Sequence, residues 1–272
     1  MTQQITVGIA QIDSRLGDIE ANLEHHLDWI AQAREANVDL LVFPELSLTG
    51  YRLLHLTGQM ATKPADSEAV RRLLTATGSM RVVVGLVEED ENGVLYNTVL
   101  LLHSGAIAHS HRKLYLPTYG IFQEGRFFGA GKQLSPPVDG LGLLICEDIW
   151  HPHLARGLAL AGAKILVVSS AGPGHLGSGE VPASQESWEA LTRSTALVNT
   201  CWVVYCNRVG WEEGSFYPGG SHVVRPCGEI IARAPFLDEH LLITEIDVRE
   251  VDRLRWRLPL LRAGRTDIAG AS

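Results

Sequence analysis

Leu143-Leu144-Ile145-Cys146-Glu147-Asp148-Ile149-Trp150 runs three aliphatic residues into a cysteine and two acids. The apolar run from Leu141 to Cys146 reads as a buried strand. Pro152 then heads a helix to about Ala161, because proline suits the first helical position. Lys164 to Ser169 is a second apolar strand. Strand and helix alternate at this spacing in layered α/β folds, with helices packed outside the sheets.

The rhythm holds on both sides. Ile5, Val7 and Ile9 alternate with Thr6, Gly8 and Ala10, which predicts a strand whose second face packs closely. Asp18 caps a helix carrying Ile19, Leu23, Leu27 and Ile30 at helical spacing. Val38 to Phe43 is another buried strand, stopped by Pro44. A helix from Asp66 or Ser67 turns Val70, Leu73 and Leu74 inward. Arg81 to Val87, Val94 to Leu102 and Ala106 to Lys113 are strands linked by turns at Glu91-Asn92-Gly93 and Ser104-Gly105. After Lys164 to Ser169 come a Gly-rich loop, Ala171 to Glu180, and a helix from Ala183 to Val198. Strands follow at Cys201 to Asn207, His222 to Arg225, Glu229 to Ala232 and Leu241 to Ile246. The tail from Val248 starts helical and ends in small polar residues. No Pro/Gly/Ser linker divides the chain, so residues 1–272 are read as one domain. The interval from Leu114 to Gly140 is broken by Pro117, Gly120, Gly125, Gly129, Gly131, Pro136 and Pro137. Unstructured intervals of that length are usually functional or disordered, and Tyr119, Phe122, Phe127 and Phe128 argue against disorder.

The net charge of −8 speaks against nucleic acid and against an anionic membrane surface as partners. No basic-then-apolar leader opens the chain, and no apolar run reaches the roughly 18 residues of a membrane span, so a cytoplasmic protein is expected. The four cysteines, Cys146, Cys201, Cys206 and Cys227, are expected as reduced thiols. None has CxxC or zinc-ligand spacing, and no metal or organic cofactor is expected. No GxxxxGK[ST] phosphate loop is present, so nucleotide-driven synthesis is not expected of these residues.

Three strand ends carry reactive groups, and in layered α/β folds ligands bind at such ends. Glu45 follows Leu41-Val42-Phe43-Pro44, where a desolvated carboxylate suits general-base work. Read alone, the segment better suits an edge-of-core acid paired with an arginine or capping a nearby helix. Lys113 ends His111-Arg112-Lys113, where a fixed ammonium can stabilise an oxyanion or a thiolate. Read alone, the segment suits a solvated lysine in a basic triplet better. Cys146 closes its strand before a helix, where backbone N–H groups and the positive helix end lower a thiol pKa. It could equally be a small core cysteine, although Glu147 and Asp148 are odd neighbours for one. His151 and His153 leave a Cys–His pair open.

Together, in this order, the segments resemble the nitrilase, or carbon–nitrogen hydrolase, superfamily. The resemblance runs from Ala10-Gln11 to Asp247. It is nearest to the glutamine amidohydrolase domain of glutamine-dependent NAD synthetases. The carrying segments are Phe43-Pro44-Glu45-Leu46 with Gly50-Tyr51, Arg112-Lys113 through Leu116-Pro117-Thr118-Tyr119-Gly120-Ile121-Phe122-Gln123-Glu124, Ile145 to Trp150, and Gly219-Gly220-Ser221. The resemblance implies a four-layer αββα sandwich and a homodimer or larger assembly. It implies Glu45 as base, Lys113 as oxyanion-stabilising cation, Cys146 as nucleophile and Glu124 as a second glutamate positioning Lys113 or the leaving group. Tyr51, Tyr119, Phe122 and Glu147 would line the pocket of a small amide substrate, with Glu147 on a substrate ammonium. The run Val168 to Gly174 replaces the Asn- or Ser-containing segment expected there. An N-carbamoyl amine hydrolase, a nitrilase, an ammonia-donating glutaminase subunit and a non-catalytic binding module are the alternatives.

Overall fold

A computed structural model describes residues 4–174 and 183–264. The elements in chain order are β1 (Gln4–Gln11), α1 (Ile19–Glu35), β2 (Leu40–Val42), the single turn α2 (Thr57–Met60), α3 (Glu68–Thr77), β3 (Arg81–Glu89), β4 (Leu95–His103), β5 (Ala106–Arg112) and β6 (Leu141–Ile145). They continue with α4 (Pro152–Leu160), β7 (Ile165–Ser170), α5 (Ala183–Asn199), β8 (Trp202–Asn207), β9 (Val209–Glu212), β10 (Ser215–Pro218), β11 (His222–Val224), β12 (Ile230–Arg233), β13 (His240–Asp247), α6 (Arg249–Arg257) and the short α7 (Leu260–Ala263). Residues 175–182 of the Gly-rich segment and the tail beyond 264 lie outside the described residues.

Two sheets form the middle of the molecule. One has the order β13-β1-β2-β3-β4-β5, the other β12-β11-β8-β7-β6. Period-two alternation decides what lies between them. Ile5, Val7, Ile9, Leu40, Val42 and Val83 face inward and pack with Leu143, Ile145, Val167 and Val204 of the second sheet. Ala10, Leu41, Val82, Val84 and Leu86 face outward and take Leu23 and Ile30 of α1 and Val70 and Leu73 of α3. Helices α4 and α5 cover the second sheet through Leu154, Leu158, Trp188 and Ala196. The result is the four-layer αββα sandwich.

Local chemistry accounts for the outer helices. Asp18 caps α1 by accepting from Ala21 N, and Ser67 caps α3 by accepting from Val70 N. The close-packed face expected of β1 is there: a side-chain carbon on Gly8 would come within 3.0 Å of Val38 and 3.1 Å of Leu41.

Some boundaries differ from the sequence reading. The second strand begins at Leu40 rather than Val38, because Asn37 takes a left-handed turn (φ 55°) after α1. The strand carrying the cysteine stops at Ile145, and Cys146 opens a 3₁₀ turn, Cys146–Trp150. The hairpin β9–β10 was not anticipated; its strands are only four residues each and Gly210 and Gly214 interrupt the alternation. Among the described residues, no helix is long and apolar enough to cross a membrane.

Topology sets the site. Strands β2 and β3 are parallel and β4 and β5 are successively antiparallel, so β2 and β5 point the same way. In the other sheet β6, β7 and β8 are mutually parallel. The residues just past β2, β5, β6 and β7 are Phe43-Pro44-Glu45, Lys113, Cys146 and Ala171.

Candidate active site

The three basic residues at the end of β5 separate by face. His111 and Lys113 are fully buried between the sheets, while Arg112 points away, pairs with Glu88 and lies 4.0 Å from the Tyr96 ring centroid. The solvated reading of Lys113 therefore fails. Its Nζ donates to Glu45 Oε1 and Glu124 Oε1, both at 2.6 Å. Burial alone would lower the Lys113 pKa, but the carboxylates of Glu124 and Glu45 overcome it and hold the ammonium well above its ordinary value.

Glu45 is 1% exposed, and each carboxylate oxygen has a donor. Oε1 accepts from Asn97 Nδ2 at 2.7 Å as well as from Lys113, and Oε2 accepts from Ala171 N at 2.8 Å. Asn97 also fixes Lys113, since its carbonyl accepts from Lys113 N at 2.9 Å. Ser169 Oγ donates to Phe43 O at 2.9 Å, tying the turn that bears Glu45 to the second sheet. The segment after β7 thus supplies a backbone N–H to Glu45, a role its side chains could not advertise.

The turn bearing Glu45 lies directly on Gly85 of β3. A side-chain carbon there would overlap Leu46 N and come within 2.8 Å of Pro44 O. Gly85→Ala is therefore expected to push this turn outward by several tenths of an ångström. A displacement of that size in a reacting group costs about tenfold or more in turnover. Steady-state rates check this, and a variant within twofold of the native protein would show that the turn has slack.

Cys146 is 4% exposed and has a left-handed backbone (φ 45°), uncommon for a residue with a side chain. Burial pushes its thiol pKa well up; Glu45 adds to the rise, while Lys113 and the nearby Ser170 hydroxyl pull against it. The lowered thiol pKa expected from strand-end placement is not found: burial and the Glu45 carboxylate outweigh Lys113 and the Ser170 hydroxyl. The direction of the shift favours the protonated thiol. His151 stacks on Tyr115 and His153 Nε2 lies 3.0 Å from the Tyr115 hydroxyl, so both histidines engage Tyr115. The charges that act on Cys146 are Glu45, Lys113 and Glu124.

Glu124 opens a short 3₁₀ turn inside the long interval. Its Oε1 accepts from the Tyr51 hydroxyl as well as from Lys113. Burial pushes its pKa up to about 7; Lys113 and the Tyr51 hydrogen bond lower it, and Glu45 raises it. Tyr51 is buried, and Phe122 stands edge-on to it with ring centroids 6.4 Å apart. Tyr119 is 59% exposed, edge-on to Phe122, and its hydroxyl donates to Glu147 Oε2 at 2.7 Å. The structure therefore joins seven of the eight candidate residues in one contact network, Glu45, Lys113, Glu124 and Tyr51 by hydrogen bonds and Phe122, Tyr119 and Glu147 beyond them, and places Cys146 within electrostatic reach of Glu45, Lys113 and Glu124.

The residue most conspicuously missed is Asp148, which is fully buried. Its Oδ1 accepts from Leu114 N (3.0 Å) and Tyr115 N (3.1 Å), and its Oδ2 from Ile145 N (3.1 Å) and His111 Nε2 (3.0 Å). A carboxylate acceptor requires the proton on His111 Nε2. One side chain thus ties the chain just past Lys113 to the chain just before Cys146. The signal was an acid where a core neighbour was expected. Among the described residues, no group of three or more His, Cys, Asp or Glu side chains is placed to hold a metal ion.

The carbon-nitrogen hydrolase family matches residues 6–255. A glutamine-dependent NAD(+) synthetase of Aquifex aeolicus is 32% identical over 262 residues, covering 93% of this chain and 45% of that protein. The chain thus spans about half the length of the curated relatives of this kind that it matches. A crystal structure of a carbon-nitrogen hydrolase from Helicobacter pylori G27 superposes with a TM-score of 0.87 at 28% identity, covering 98% of this chain and 97% of the other. A mutant of the amidase from Nesterenkonia sp. AN1, with the acetamide moiety of fluoroacetamide added covalently at its active-site cysteine, matches with a TM-score of 0.81 at 25% identity, covering 97% and 95%. The chain belongs to the carbon-nitrogen hydrolase family.

Proposed function

We propose that the chain is a cysteine amidohydrolase that cleaves a C–N amide bond of a small substrate through a thioester on Cys146. The observation that carries this reading is the buried cluster itself, with Lys113 held at 2.6 Å from both Glu45 and Glu124 beside a thiol on a left-handed backbone. Glu45 takes the thiol proton as Sγ attacks the amide carbon. Lys113 and a backbone N–H stabilise the tetrahedral oxyanion. Glu45 returns the proton to the departing nitrogen, ammonia or an amine leaves, and a thioester remains. Water, deprotonated by Glu45, attacks the thioester carbon and releases a carboxylic acid and the thiol. Ser170 and Tyr205 lie beside Cys146, with the Ser170 hydroxyl facing both the Cys146 thiol and the Tyr205 hydroxyl, so these buried groups would meet a polar substrate bound at the thiol. The covalent adduct in the Nesterenkonia amidase supports the cysteine role by similarity.

A second reading is glutaminase work that supplies ammonia to a separate synthetase. It is favoured by the match to just 45% of a glutamine-dependent synthetase. The hydrogen bond from Tyr119 occupies Glu147 Oε2, and Oε1, 3.9 Å from His151 Nε2, is the oxygen that would accept from a substrate ammonium, which suits an amino-acid amide.

Intact-protein mass spectrometry after brief exposure to glutamine, asparagine, short aliphatic amides and N-carbamoyl amino acids tests both. An acyl adduct is expected on the native protein and none on Cys146→Ala, which should also lose turnover. The adduct mass names the acyl half, with glutamine favouring the second reading. Full activity in Cys146→Ala would refute the mechanism, and neither adduct nor ammonia from any compound would favour a binding module.

A further inference from the structure

The Tyr51 hydroxyl reaches Glu124, and Glu124 holds Lys113. What fixes the turn that carries Tyr51 comes from the other end of the chain. Glu212, at the end of β9, has a side chain 3% exposed. Its carboxylate accepts from Tyr51 N (3.0 Å to Oε1, 3.2 Å to Oε2) and from Arg52 N (2.5 Å). Arg208, also buried, closes the far side. Its Nη1 donates to Glu212 Oε2 at 2.6 Å, and its Nη2 to Asp13 Oδ1 at 2.8 Å and Ser14 O at 3.1 Å. The guanidinium lies 4.4 Å from the Tyr217 ring centroid, and that ring stands edge-on to Tyr51 at 6.3 Å. The fit is close: Gly50 has φ 79°, and a side-chain carbon there would come within 2.8 Å of Glu212 Oε2. A carboxylate that is desolvated, paired with a planar guanidinium and bonded to two main-chain donors has little freedom to move.

We propose that Glu212, locked by Arg208, is a positioning residue that fixes Tyr51 so that its hydroxyl and the Lys113 ammonium share Glu124 Oε1. This rests on the amidohydrolase reading above. Glu212 touches none of the reacting groups and acts through Tyr51. The groups facing Glu124 are Lys113 after β5, Glu45 after β2 and Tyr51, with Cys146 after β6 within electrostatic reach. The hydrogen bond from Tyr51 favours ionised Glu124. Losing it raises the pH at which Glu124 protonates, so the acid limb of the rate profile moves to higher pH.

The test compares the full native chain with Glu212→Gln, Tyr51→Phe and the double variant, reading ammonia release from glutamine and acetamide between pH 5 and 9. Each single variant is expected to lose about tenfold in kcat with KM within about twofold, and both acid limbs should shift upward together. The double variant should be no worse than the weaker single, because both act on one hydrogen bond. Losses that multiply, or a Glu212→Gln acid limb at the native position, would overturn the proposal. If Glu212→Gln does not fold, Arg208→Lys, which keeps the charge but loses the fork, carries the same comparison. A native protein that releases no ammonia from these two or from any other compound of the amide panel refutes the functional reading alone. The comparison is then read on Cys146 alkylation by iodoacetamide across the same pH range, using peptide mass spectrometry. A common upward shift supports the proposal and an unchanged profile overturns it.

Discussion

Lys113→Met is expected to remove about a hundredfold to a thousandfold of the proposed amide turnover, the scale of losing an oxyanion donor, and about 3–5 kcal/mol of stability at neutral pH, the scale of breaking a buried ion pair. The stability loss arises because Lys113 is the cation directly bonded to two buried carboxylates, Glu45 and Glu124. Without it, desolvation and mutual repulsion drive at least one of them to take up a proton. The sign of the pH dependence follows. Glu124 already titrates near 7 with the ammonium present, against an ordinary value of 4.5. In the variant its pKa rises further, so the folded state binds a proton that the unfolded state has released above pH 4.5. Folding of the variant therefore weakens as pH rises from about 5 to 8. Its deficit relative to the native protein should be smaller at pH 5 than at pH 8. Thermal melts at the two values check this, and an equal deficit at both would show that the carboxylates do not depend on Lys113.

Asp148→Ala should be nearly as damaging, through the fold rather than the chemistry. The substitution leaves three main-chain N–H groups and one imidazole N–H without their acceptor; the Ile145 and His111 donors are buried and those of Leu114 and Tyr115 partly buried. A buried donor left unpaired costs about 1–3 kcal/mol, and neighbouring losses are not additive, so a total of about 4–6 kcal/mol is expected. For a domain of this size that lowers the melting temperature by about 10 °C. Asp148→Asn keeps one acceptor oxygen and should lose less. A shift below about 2 °C for the alanine variant would mean that the two strand ends hold their spacing unaided.

The parts of the fold and site legible in the sequence were those written in side chains over short distances. Alternation in β1 and the apolar runs ahead of Glu45 and Cys146 gave the strands, and Asp18 and Ser67 marked their helices. The opaque parts are contacts between distant segments, or contacts made by main-chain atoms. Glu212 and Tyr51 are 161 positions apart, and Asp148 meets Leu114 across 34. Ala171 serves Glu45 through its N–H, which any residue other than proline would offer. Gly85 matters for the atom it lacks. The Cys146 thiol was misjudged for a related reason. Its local sequence shows the turn that would lower its pKa, whereas the burial that raises it comes from both sheets.

That raised thiol has a further consequence. Peroxide attacks thiolates, climbing from sulfenic to irreversible sulfinic and sulfonic acids. On the proposed roles, a nucleophile held protonated and 4% exposed gives an oxidant little to attack while the protein is idle. In the proposed mechanism the sulfur becomes strongly nucleophilic only once a substrate carbonyl is in reach and Glu45 takes the proton. The burial that shapes this site would thus also extend the protein's working life in an oxidising cell, and bound substrate would be the condition under which that protection lapses.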